Sequence, residues 1–144
     1  KDVAGIYFVG IPAYHDGSGG RERGTNIIFR FTVDGLRICH LGDLGHPLSD
    51  QQLDDLGEID LLFIPVGGFF TIDGAVATQI CNDLRPRVVV PMHYKTPKCD
   101  FPIVGVDKFL EGKAKVRRLE TAEVEIKAEE LPAPYEVVAL RPAL

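Results

Sequence analysis

The stretch RICHLGDLGH, residues 37–46, decides how the chain is read. A short apolar run passes into a glycine turn that carries Asp43, with His40 and His46 on either side. Turn chemistry alone asks only for Gly and Asp. An acid flanked by two imidazoles at a strand end needs a further reason.

Working outward, GIYFVGIPAY (5–14) and NIIFRFTV (26–33) are rich in β-branched and aromatic residues and predict strands. The loop between them, HDGSGGRERGT, is glycine-rich and polar. Asp34-Gly35 predicts a hairpin turn into the strand LRICHL (36–41). Downstream, LSDQQLDDLG (48–57) has Ser49 and Gln52 at capping-box spacing, so a helix is expected there. The near-continuous apolar run IDLLFIPV (59–66) predicts a strand covered on both faces. In TIDGAVATQICNDLRP (71–86), Val76, Ile80 and Leu84 recur at helical spacing, with Asp73 as N-cap and Pro86 as the stop. RVVVP (87–91) predicts a further buried strand, VDKFLEG (106–112) a short helix, and KVRRL and EVVAL two strands in the tail. The alternation is that of an α/β protein, a sheet with helices laid on it.

The 144 residues make one domain's worth of chain. Net charge is −5, which argues against nucleic acid as a partner even though RERG (21–24) is locally basic. No apolar run approaches the roughly 20 residues that cross a bilayer, so no membrane partner is expected. Cys39, Cys81 and Cys99 are odd in number, widely spaced and without a CxxC pair, which suits small core residues in a reducing cytoplasm. Strand-like sequence begins almost at once after Lys1, and the expectation is that an N-terminal portion is absent.

Three predicted strands finish in chemistry-bearing residues. His15 and Asp16 follow the first, Asp43 follows the strand holding His40, and His93 follows RVVVP. In α/β sheets the carboxyl ends of strands collect ligands, because their loops converge on one edge of a rigid scaffold. Imidazole and carboxylate are the usual donors to zinc, iron or manganese. Any one of these residues also has an ordinary reading. His40 is expected to be packed beside the site and His46 to be a solvated loop residue.

GIPAYHD, the RG-N of residues 23–26, DGLRICHLGDLG, IDLLFIPVGGFFTID and VVVPMHYKTP resemble the metallo-β-lactamase-fold hydrolases. The likeness is to the small prokaryotic branch of metal-dependent hydrolases related to ascorbate-phosphate lactonase. It implies an αββα sandwich with one or two metals, zinc or else manganese or iron, at one edge of two sheets. It further implies that His15, Asp43 and His93 are metal ligands, with Asp43 the carboxylate that bridges two cations. The family's His-x-His-x-Asp-His segment does not occur, since the four histidines stand at 15, 40, 46 and 93. Residues 1–144 are therefore expected to be a single partial domain, the C-terminal part of the sandwich, whose N-terminal half is its partner. Without that half an apolar sheet face should stay uncovered.

The implied function is hydrolysis of a small ester, lactone or phosphodiester by a metal-activated water, active only with the N-terminal segment. Tyr94 and Lys95 are candidates for holding an anionic substrate, as are Arg21 and Arg23 for phosphate. The rival reading is a non-catalytic module of the same fold that has lost its metals and serves in assembly. A homo-oligomer is compatible with either.

Overall fold

The computed structural model describes residues 1–143. A two-stranded ribbon, β1 (Asp2–Val3) and β2 (Ile6–Tyr7), precedes a seven-stranded sheet. That sheet comprises β3 (Val9–Tyr14), β4 (Thr25–Val33), β5 (Leu36–His40), β6 (Leu61–Pro65), β7 (Val88–Met92), β8 (Val116–Arg118) and β9 (Glu136–Ala139). Its spatial order is β3-β4-β5-β6-β7-β9-β8. The first three strands form an antiparallel meander, and every pairing from β5 onward is parallel. The expected strand over 5–14 is thus two pieces: a tight turn at Ala4-Gly5 folds 2–7 into its own ribbon, and only Val9 onward joins the sheet.

Parallel strands need crossovers, and the helices supply them. Helix α1 (Asp50–Leu56) links β5 to β6 and opens on the Ser49/Gln52 capping box. Helix α2 (Gly74–Leu84) links β6 to β7, with the Asp73 carboxylate accepting from the Val76 N–H at 2.9 Å. The short α3 (Asp107–Leu110) lies beside it. All three helices pack on one face of the sheet, where Cys39, Leu62, Ile64, Val89 and Val137 meet Leu56, Ile80 and Phe109 in the main core. Cys39 and Cys81 are buried there as expected, whereas Cys99 lies half-buried in the loop after β7.

The opposite face divides in two. Over β6, β7 and β9, the residues Leu61, Val88, Val90 and Val138 are covered by the irregular segment 119–131 through Leu119, Val124, Ile126 and Leu131. Over β3–β5 nothing among the described residues covers the sheet, and Ile27 and Phe29 are 50% and 42% exposed. A groove of about 870 Å³ runs along this surface, floored by Phe29, Phe31 and Phe63 and flanked by Phe8 from the end of the ribbon. The chain supplies one sheet with its helix layer and leaves apolar area open on the other side.

Ile64, wholly buried at the centre of the parallel strands, anchors the helix-covered face. Ile64→Ala is expected to cost about 2–5 kcal/mol, read as a lower urea midpoint with an unchanged slope.

Candidate metal centre

β3, β5, β6 and β7 run in the same direction, so the loops after them emerge at one edge of the sheet. His15 follows β3, Asp43 follows β5 and His93 follows β7. The three meet. One carboxylate oxygen of Asp43, Oδ2, faces Nε2 of His15 at 4.0 Å, and the other, Oδ1, faces Nε2 of His93 at 4.0 Å. Both imidazoles are about three-quarters buried, while Asp43 opens to the groove.

This donor set fits a cation in kind, and at His15 the unpartnered nitrogen is also the one that faces Asp43. Nε2 of His15 and Nδ1 of His93 are buried polar atoms with no hydrogen-bond partner among the described residues. Orphaned groups of that sort are rare in proteins and call for a ligand or a strain explanation. At 4.0 Å each carboxylate–imidazole pair is too long for a hydrogen bond. It falls within the roughly 4.2 Å that two metal–ligand bonds of about 2.1 Å can span. Among the described residues no group of three or more His, Cys, Asp and Glu is placed so as to hold a metal ion, so a cation at either half-site would need further donors.

Two glycines let the backbones come together. A Cβ on Gly45 would overlap the carbonyl of His15 and the amide nitrogen of Asp16, and one on Gly67 would overlap the carbonyl oxygen of His93. The loop carrying Asp43 is therefore pressed against the His15 peptide, and the loop after β6 against that of His93, which sits at φ +52°. Asn26 brackets the turn between β5 and Asp43, its amide donating to the Leu41 carbonyl at 2.9 Å and its oxygen accepting from the Asp43 N–H at 3.1 Å.

Asp16 organises the loop that follows His15. Its buried carboxylate accepts backbone N–H groups from Ser18, Gly20, Glu22 and Arg23 at 2.7–3.0 Å. These bonds, that from Arg23 foremost, outweigh burial and hold Asp16 well below the usual carboxylate range. The loop is a built structure rather than a solvated tether. Sequence reasoning noted Asp16 only as a neighbour of His15; an Asp followed by Gly-Ser-Gly-Gly was the available signal.

Other expected site residues turn away. The Tyr94 hydroxyl donates to the Leu140 carbonyl at 3.2 Å, and burial pushes its pKa up. The Lys95 ammonium donates to the Phe101 carbonyl at 2.8 Å. The guanidinium Nε of Arg21 donates to the Ser18 carbonyl and that of Arg23 to the His15 carbonyl, which ties each side chain to its own loop at that nitrogen. His40 does line the groove, stacked on Phe63 with ring centroids 5.6 Å apart and its Nδ1 accepting from the Gly42 N–H. Burial lowers its pKa, so it sits there as neutral imidazole. His46 is not the solvated loop residue expected: both ring nitrogens are engaged, Nε2 by the Tyr14 N–H at 3.1 Å and Nδ1 with the Pro47 carbonyl at 2.7 Å.

Residues 1–93 match the family described as "Beta-lactamase superfamily domain". The chain belongs to this superfamily of metal-dependent hydrolases. It is 35% identical over 130 residues to a UPF0173 metal-dependent hydrolase of Thermococcus onnurineus, and equally so to one of Pyrococcus abyssi. Both matches take in 85% of this chain and 56% of the relative, so the chain spans about half the length of the curated relatives it matches. Among solved structures, a candidate Zn-dependent hydrolase of the metallo-β-lactamase superfamily from Thermotoga maritima superposes with a TM-score of 0.82 at 34% identity. That match covers 98% of this chain and 69% of the other. The metallo-β-lactamase fold protein YhfI of Bacillus subtilis shares the fold at TM-score 0.60 and 12% identity, over 98% of this chain and 48% of its own. Among the described residues no helix is long and apolar enough to cross a membrane.

Gly45→Ala and Gly67→Ala are each expected to displace a candidate ligand's backbone, lowering thermal stability and reshaping the His15 or His93 amide environment in an NMR spectrum. For Asp16 the sign follows from its lowered pKa: its stabilisation is full above the unfolded value of about 3.9 and is lost as pH falls toward the folded value. The stability gap between the wild type and Asp16→Asn, measured by denaturant titration, should therefore be widest at neutral pH and should narrow steadily below pH 4.

Proposed function

We propose that the intact protein hydrolyses a small ester, lactone or phosphodiester at a centre in which Asp43 bridges two divalent cations. His15 serves one cation and His93 the other. The observation that carries this reading is the split aim of Asp43, whose two oxygens face different imidazoles at 4.0 Å, one of them with a buried, unpartnered Nε2. Zinc suits the nitrogen and oxygen donors, and manganese or iron would be accepted by the same set. A bound divalent cation supplies Lewis acidity and a water acidic enough to act as nucleophile near neutral pH.

The chain's own part is to present ligands in the right state. The donor forms a cation would take are the Asp43 carboxylate and neutral Nε2 lone pairs on His15 and His93. The groove beside Asp43 gives a substrate an apolar floor. The same open face over β3–β5 supports a second assignment: a further sheet of the sandwich packs there, drawn from polypeptide corresponding to the part of the relatives that this chain does not span. That polypeptide would also furnish the donors each half-site lacks.

The test is metal content by mass spectrometry together with generic lactonase and phosphodiesterase rates of the full-length protein, wild type against Asp43→Ala. Losing a ligand should cost more than the roughly 10- to 100-fold in affinity or rate typical of a residue that merely supports one. Unchanged occupancy and rate in the variant would remove the bridging assignment. A wild type that holds no metal and hydrolyses nothing would favour the non-catalytic assembly module.

A further inference from the structure

We infer that His46 is a positioning residue for this centre, holding the strand end that presents His15 at a fixed distance from Asp43; the inference rests on the metal-site reading above. β3 is an edge strand of the large sheet, so the outward backbone groups along it have no neighbouring strand to bond. Near its end three of those groups are met by the segment after β5. The Pro12 carbonyl accepts from the Gln52 side-chain amide at 2.8 Å. The Tyr14 carbonyl accepts from the Gly45 N–H at 2.9 Å. The Tyr14 N–H donates to Nε2 of His46 at 3.1 Å.

The last bond settles the state of the imidazole. The Pro47 carbonyl can only accept, so Nδ1 carries the proton, and Nε2 is left as the acceptor that Tyr14 requires. The ring lies against the Tyr14 side chain, centroids 5.9 Å apart. His46 thus replaces the carbonyl that a further strand would have provided. Its position matters because the same short turn, Asp43 to Pro47, carries the carboxylate at one end and the grip on Tyr14 at the other. Any slip of β3 against this turn moves His15 relative to Asp43, and the Gly45 contact lies directly on the His15 peptide. Gln52 holds the same strand two residues earlier but has no connection to the His15 peptide, which makes it the control.

The experiment is a Co²⁺ titration of the full-length protein, followed by visible absorbance, for the wild type, His46→Ala, His46→Gln and Gln52→Ala. It is done at a temperature where circular dichroism shows each to be folded. His46→Ala should weaken Co²⁺ binding about 10- to 100-fold, as removal of a ligand's support generally does. His46→Gln, which restores an acceptor, should recover most of that loss. Gln52→Ala also removes the α1 capping box, which costs stability, but should leave Co²⁺ affinity within about two-fold of wild type. Wild-type affinity in His46→Ala, no recovery in His46→Gln, or an equal loss in Gln52→Ala would each overturn the inference while leaving the metal site standing. A wild type that binds no Co²⁺ would sink the metal reading and this inference with it.

Discussion

The candidate centre depends on backbone approaching backbone where ordinary side chains would forbid it. Gly45 lies flat against the peptide of His15 and Gly67 against that of His93, so two histidines remote in sequence are fixed by main-chain contact rather than by flexible side chains. Such contacts are stiff, because interiors pack like crystals and a missing or added methyl group is felt at once. A metal site gains from that stiffness, since ligands must hold their geometry before a cation arrives.

The sheet provides the frame for these contacts. Its parallel half, β5 to β7, is buried on the helix side by Leu62, Ile64 and Val89 and on the other side by Leu61, Val88 and Val90, with its register fixed by the paired strands. Strand ends are thereby set level, and the loops after β3, β5, β6 and β7 meet at one edge. The loop after β6 stands between the Asp43 and His93 loops and carries Phe69 and Phe70, packed edge to face at the rim. The antiparallel half is less finished. Its uncovered face, with Phe29 and Ile27 open to solvent beside the groove, is the surface of a layer that is packed on one side only.

Much of the fold was legible in the residues. The Ser49/Gln52 capping box, Asp73 as N-cap, the Asp34-Gly35 turn and the apolar runs of β6 and β7 each have a local cause, and local causes survive in sequence. The ribbon at 2–7 was missed because GIYFVGIPAY reads as one strand, although its opening Gly5 belongs to the Ala4-Gly5 turn. At the site, the strand-end positions of His15, Asp43 and His93 could be read, but the hydrogen bonds that Tyr94 and Lys95 make could not. Nothing in PMHYK says that the tyrosine hydroxyl will find the Leu140 carbonyl, which lies 46 residues on, or that the loop after β7 will curl back to bring the Phe101 carbonyl to the ammonium.

By itself, then, the sequence determined which residues could serve a cation and that they close apolar strands, since strand periodicity and donor chemistry are properties of neighbouring residues. Only the tertiary structure decided that one oxygen of Asp43 faces His15 and the other His93, that Asp16 is spent on its own loop, and that His46 grips Tyr14. Those are matters of register and loop approach between segments tens of residues apart, and such distances are set by packing the whole sheet.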